Sequence, residues 1–216
     1  MGFKLIAFGL SGVIVNFTNA DNPWSLIRNI YQIPDFWKDY REGKLSRFKA
    51  KEEEYKAWKE RGVRLGKLMV GMRKNMKFVE GAKDVFAELN SRKVATGIVS
   101  DSPHLVVEDV ANQLGAKYFA CNKIIFNKDG VAYDTIPSHP AGDQRVSKLL
   151  ALKDFANREG IRLSEAAAVG NDKEDVEIFK YVGRAIAFNP RDMETKKAAQ
   201  VIVNSNTLED VLQYLK

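Results

Sequence analysis

Two apolar runs open the chain, Leu5-Ile6-Ala7-Phe8 and Val13-Ile14-Val15, with Gly9-Leu10-Ser11-Gly12 between them. An unbroken apolar run that stops at a glycine predicts a buried strand ending in a loop. From Pro23 to Met76 the apolar positions fall at helical spacing instead. Pro23 opens a helix through Ser25–Gln32, and Pro34 opens a second through Phe36–Glu42. Ser46–Arg61 predicts a charged third helix with Phe48, Tyr55 and Trp58 as its apolar points, and Gly66–Lys77 a fourth. Beyond Glu80-Gly81 the texture alternates. Helices are expected at Ala82–Arg92, Leu105–Leu114, Gln144–Glu159, Asp175–Tyr181 and Leu208–Leu215. Strands are expected at Val94–Val99, Tyr118–Ala120, Ala166–Val169, Ala185–Phe188 and Val201–Val203, with a hairpin turn around Asn127-Lys128-Asp129-Gly130. Short apolar strands alternating with helices predict an α/β fold of Rossmann-like type, a mostly parallel sheet covered on both faces. Residues 16–78 break that rhythm and are expected to form an inserted helical subdomain, leaving 1–15 and 79–216 as the core.

Composition narrows this picture. A chain of 216 residues with 45% hydrophobic positions can bury a sizeable core. No apolar run approaches the ~20 residues of a membrane span, so no membrane partner is expected. A single cysteine, Cys121, excludes an internal disulfide framework and points to a reducing, cytoplasmic setting. Without an obvious histidine partner it reads as a small buried hydrophobe. The net charge of +6 is concentrated between Val15 and Phe78, which hold fifteen Lys/Arg against eight Asp/Glu. Such a surface suits a solvated helical face, and it also admits a nucleic-acid or acidic partner. Nothing in the sequence fixes an oligomeric state.

In an open parallel sheet, chemistry gathers at the carboxyl ends of the strands. Four such ends stand out: Gly9–Gly12, Ser100–Pro103, the region before Lys148, and Gly170–Asp175. Their order and spacing resemble the four motifs of the haloacid dehalogenase superfamily, and most nearly those of its phosphoserine phosphatases. The stretch FVEGAKDVFAELNSRKVATGIVSDS resembles the lead-in to the second motif, and KLLALKDFANREGIRLSEAAAVGNDKEDVEIFKYVG the third and fourth together. The likeness covers residues 3–15 and 79–216 well and residues 16–78 loosely.

The resemblance implies an Asp-x-Asp first motif whose first aspartate attacks phosphorus while the second is general acid/base. It also implies a Mg²⁺ ion held partly by the fourth motif. In this chain Gly9 stands at the nucleophile position, Ser11 at the acid/base position, and Asn171 where the fourth motif supplies a metal-binding aspartate. Ser100 and Lys148 match the phosphate-binding hydroxyl and lysine, and Asp175 the second acidic position of the fourth motif. Glycine offers no nucleophile, and a serine hydroxyl has too high a pKa to replace a carboxylic acid. Mg²⁺ prefers anionic oxygen ligands; the resemblance implies that two of them, at positions 9 and 171, are missing here, while the backbone carbonyl of residue 11 persists as a neutral ligand. The expectation is therefore a phosphatase-like protein without phosphohydrolase activity and without a metal cofactor, binding phosphate or a phosphorylated small molecule. The alternative is a Mg²⁺-dependent phosphomonoesterase using relocated carboxylates, Asp101 or Asp172.

By the same resemblance, residues 16–78 correspond to a C1-type helical cap that closes over the site and selects the ligand. Thr18 falls where phosphoserine phosphatases carry a substrate-gripping Glu, and Glu54 near their substrate-gripping Arg, with Lys51 and Lys56 close by. Phosphoserine itself is thus disfavoured. Trp24, Phe36, Trp37, Phe48, Tyr55 and Trp58 read mainly as the packing core of the helical insertion, and alternatively as a ligand wall. His104 lies near the expected site, and His139 in the loop before Lys148.

Overall fold

The computed structural model of the protein describes residues 2–141 and 146–216. β1 (Leu5–Phe8) forms from the first apolar run, all four residues fully buried. The chain then turns at Gly12, whose φ of +79° lies in the left-handed region that glycine enters without steric cost, and continues as β2 (Val15–Phe17). Four helices follow: α1 (Pro23–Tyr31), α2 (Phe36–Arg41), α3 (Arg47–Glu60) and α4 (Leu65–Asn75). Side-chain caps fix three of their starts, with Asn22, Asp35 and Ser46 accepting from the backbone N–H of Ser25, Lys38 and Lys49. The fourth helix ends at Asn75 rather than Lys77, because β3 (Met76–Phe78) pairs antiparallel with β2. Strand pairing with a distant segment overrides a helical pattern there.

The remaining elements alternate: α5 (Ala82–Ser91), β4 (Ala95–Pro103), α6 (His104–Leu114), β5 (Tyr118–Phe126), β6 (Ala132–Pro137), α7 (Lys148–Glu159), β7 (Ala166–Gly170), α8 (Val176–Phe179), β8 (Arg184–Phe188), α9 (Met193–Ala198) and β9 (Val201–Val203). The closing segment, Leu208–Tyr214, is a 3-10 helix rather than an α-helix. The helix expected from Gln144 is described from Lys148, capped by Ser147; residues 144 and 145 lie outside the described residues. The hairpin turn falls where expected, between antiparallel β5 and β6. β4 and β5 both outrun their apolar cores, and α9 carried no apolar signal in the sequence because its only buried residue is Thr195.

The seven strands run in the order β6-β5-β4-β1-β7-β8-β9, with only the β5–β6 pair antiparallel. Successive side chains of a strand point to opposite faces. Ile6 and Phe8 accordingly join one core with Phe86, Val107 and Leu89, while Leu5 and Ala7 join another with Leu152, Phe155 and Phe179. Burying one such large side chain stabilises the fold by about 1.5–3 kcal/mol. β1 lies between β4 and β7, so the chain leaves the central strand in both directions. That switch point opens a crevice at the carboxyl ends of β1, β4 and β7.

One close approach in the second core gives a test of packing. A Cβ on Gly97 of β4 would stand 2.9 Å from the Phe155 ring, which itself stacks on Tyr118 at a centroid distance of 5.0 Å. Gly97→Ala is expected to destabilise the protein by about 1–3 kcal/mol in urea unfolding, and Phe155→Leu in the same chain to recover part of the loss.

Candidate functional site

The loop after β1 is held by its own backbone. Gly9 donates to Val169 of β7 at 2.9 Å, Ile14 and Val15 donate to Leu10, and Gly12 donates to Val15 at 2.8 Å. The N–H groups of Leu10 and Ser11 find no acceptor among the described residues, and the Ser11 hydroxyl is buried without a partner. Buried polar groups are normally satisfied, so a loop with two spare donors and an idle hydroxyl is suited to an anion. Gly9 has an ordinary φ, and a Cβ added there would stand 3.4 Å from Val13 and 3.7 Å from the Asp175 carboxylate. Neither backbone nor packing demands glycine at this position.

Beside the loop lies a buried ion pair. Lys148, first residue of α7, donates to the Asp175 carboxylate at 2.6 Å, with side chains 9% and 2% exposed. The second carboxylate oxygen accepts from the backbone N–H of Asn171 at 2.9 Å and of Asp172 at 3.3 Å. Asp175 reaches back under the end of β7 only because Gly170 has no side chain; a Cβ there would stand 2.3 Å from the carboxylate carbon. Burial works against the Lys148 ammonium, but the carboxylates of Asp175, Asp172 and Glu174 outweigh it and raise its pKa. The Asp172 carboxyl is also pushed up, mainly by burial.

The fourth-motif asparagine turns its amide to the first loop: Asn171 Nδ2 donates to the backbone carbonyl of Ser11 at 3.1 Å. A metal held in the family manner would use that carbonyl together with carboxylates at positions 9 and 171. Here the carbonyl already accepts an N–H, position 9 has no side chain, and among the described residues no group of three His, Cys, Asp or Glu is placed to hold a metal. The donor set does not match Mg²⁺.

These residues share one cavity of about 520 Å³ with α1–α3. Gly9, Ser11, Ser100, Asp101, Lys148, Asn171, Asp172 and Asp175 all line it, so the structure brings together every strand-end residue singled out in the sequence. The Ser100 hydroxyl is buried and accepts from the N–H of Ser102 at 3.1 Å. The Asp101 carbonyl is tied to Trp24 Nε1 at 3.1 Å and to the Asn122 amide, joining α1 to the site.

Glu54 is buried in α3 and faces the cavity, accepting from Trp37 Nε1 and from Arg28 at 3.5 Å; burial raises its pKa. Trp24, Trp37, Tyr55 and Trp58 line the cavity; Trp24 stacks on Trp58 at 6.2 Å, Tyr55 packs on Trp58 at 5.1 Å, and Trp37 meets Tyr40 edge-on. Phe48 does neither, being 78% exposed. Thr18 is exposed at the base of β2 and does not line the cavity.

His104 and His139 also stand outside the cavity lining. His104 Nδ1 accepts from the N–H of Ile124, and burial lowers its pKa. His139 lies against Asp154 and Phe155. Cys121 is buried, its thiol pushed up to about 12 by burial, and is inert as a nucleophile. Many cations of the basic segment are engaged in ion pairs: Arg28 and Arg41 with Asp35, Lys44 with Asp39, Lys49 with Glu52 and Glu53, and Arg73 with Asp109. One lining residue escaped the sequence reading. Arg191 lies just past β8, a fifth strand end that the strand-end rule covers equally well.

Breaking the buried pair has a predictable sign. Asp175→Asn leaves the Lys148 ammonium without its main partner and is expected to cost about 3–5 kcal/mol at neutral pH. In the parent, Lys148 has a raised pKa, so its stabilisation is complete below the free lysine value of about 10.5 and fades above it. In the variant, burial lowers the Lys148 pKa, so stability rises with pH. The gap between the two proteins, followed by denaturant melts, narrows as the solution is made alkaline.

Comparison with known proteins agrees with this arrangement. A family profile for haloacid dehalogenase-like hydrolases matches residues 141–215. A phosphoserine phosphatase of Methanocaldococcus jannaschii is 25% identical over 99% of this chain and 98% of its own length. One from Streptococcus thermophilus is 32% identical over 51% of this chain and 50% of its own. Among solved structures, a phospho-aspartyl intermediate analogue of phosphoserine phosphatase superposes with a TM-score of 0.78 at 23% identity, covering both chains completely. A substrate-bound phosphoserine phosphatase complex gives 0.79, also at 23% identity and full coverage. Sheet order, strand-end residues and these likenesses point the same way: the chain is similar to haloacid dehalogenase-like hydrolases and has the fold of phosphoserine phosphatases.

Proposed function

We propose that this protein binds a phosphate or phosphoester at the ends of β1, β4 and β7 without hydrolysing it, and that residues 16–78 act as the cap over that site. The observation that carries the reading is position 9. Transfer of a phosphoryl group to the protein needs a nucleophile in line with phosphorus, and Gly9 presents none although the surroundings leave room for a side chain. The groups that would hold the phosphoryl oxygens remain: the N–H donors of Leu10 and Ser11, the Ser100 hydroxyl and the Lys148 ammonium all border the cavity. The ligand's other end would meet Glu54 and the aromatics. Glu54 shares that part of the lining with Arg28, Arg41, Arg47 and Lys51, so the charges there are of both signs and the aromatics make an aromatic group on the ligand the better match.

One observation keeps a second reading in play. Asp172 lines the cavity, and burial raises the pKa of its carboxyl, the kind of perturbation expected of a general acid. In that reading it serves a relocated phosphatase chemistry with Mg²⁺.

Two measurements separate these. Assayed with a generic phosphomonoester and Mg²⁺, the protein is expected to show no turnover above Ser100→Ala and Asp172→Asn controls, and mass spectrometry to find no phosphoryl adduct. Activity lost specifically in Asp172→Asn would establish the second reading instead. Inorganic phosphate is expected to raise the melting temperature of the parent and not of Ser100→Ala; identical curves would sink the binding proposal.

A further inference from the structure

We propose that Arg191 and Asn171 replace the divalent cation at this site, so that the anion is held by protein donors alone and its binding needs no metal. This rests on the anion-binding reading above and adds the identity of the charge that makes it work.

Three observations meet at Gly12. Asn171 Nδ2 donates to the Ser11 carbonyl at 3.1 Å, the carbonyl that a family metal would use. The same amide nitrogen is 2.3 Å from the point a Cβ on Gly12 would occupy, and the Arg191 guanidinium also approaches that point, its terminal nitrogen at 2.6 Å and its Cζ at 3.3 Å. With a φ of +79° and two donors closing over it, Gly12 admits no side chain between them. The guanidinium is held there by its own backbone, since the Arg191 N–H donates to the Asn171 carbonyl at 2.9 Å.

The guanidinium itself is not engaged in any hydrogen bond or ion pair among the described residues, and it borders two cavities, the main one and a smaller one of about 290 Å³ behind the Gly12 loop. Arginine stays protonated at any relevant pH and presents a planar fork suited to oxyanions. A fixed cation beside a site whose carboxylates at positions 9, 11 and 171 are missing repels Mg²⁺ and attracts phosphate. The substitutions and the arginine therefore act in one direction: negative ligands that a metal requires are gone, and a permanent positive charge lies beside the Gly12 loop at the edge of the same cavity.

The test is a phosphate titration by calorimetry, run on the parent, Arg191→Gln, Arg191→Lys and Ser100→Ala, each with EDTA and with Mg²⁺. The parent is expected to bind phosphate equally well or better in EDTA. Arg191→Gln is expected to lose roughly tenfold or more in affinity, the range for a hydrogen bond to a charged group, with an unchanged melting temperature in the absence of phosphate because its side chain anchors nothing. Arg191→Lys recovers part of the affinity. Binding by the parent that requires Mg²⁺, or that Arg191→Gln leaves intact while Ser100→Ala abolishes it, overturns this inference and spares the anion site. Failure of the parent to bind phosphate under either condition removes both.

Discussion

The site is organised around one buried charge pair. Lys148 and Asp175 come from opposite sides of β7, one from the start of α7 and the other from the loop before α8. Their contact fixes how those two segments meet at the sheet's edge. Two charges taken out of water repay their desolvation only when the remaining lone pairs and protons are also satisfied. Asp175 meets that condition through the N–H groups of Asn171 and Asp172, which in turn set the loop after β7. Asn171 then reaches the Ser11 carbonyl, so the geometry of the β1 loop is tied to the same pair. Few other contacts bear on so many parts of the cavity.

Among the helices α1–α3 a second buried carboxylate plays a comparable role. Glu54 gathers Trp37 from α2 and Arg28 from α1 around α3. Burial raises its pKa against the opposing hydrogen bond from Trp37 and the charge of Arg28. The cavity is therefore lined by charges of both signs at either end, Lys148 and Arg191 beside Asp172 and Asp175 on the strand side and Arg28 and Arg41 beside Glu54 on the helical side.

Much of this was legible in advance. The strand ends at Gly9, Ser100 and Gly170 were visible because parallel strands buried on both faces leave unbroken apolar runs, and the run stops where the chain emerges. Lys148, Asn171 and Asp175 could be singled out through the resemblance to the third and fourth haloacid dehalogenase motifs. The exchange of helix for strand at Met76 could not, since β3 exists only because β2 lies opposite it. Arg191 escaped for a related reason: among 34 Lys and Arg residues, nothing local distinguishes one whose backbone is pinned to Asn171.

The sequence by itself determined the α/β class, the strand-end positions and the absence of a carboxylate at positions 9, 11 and 171, because these depend on residue identity and on local periodicity. Only the tertiary structure decided what occupies the space those substitutions left. The approach of Asn171 to Ser11, the guanidinium over Gly12 and the engagement of Glu54 by Trp37 join residues far apart in the chain. Such contacts are set by how the loops are carried on the sheet and helices, a geometry that no local pattern of residues records.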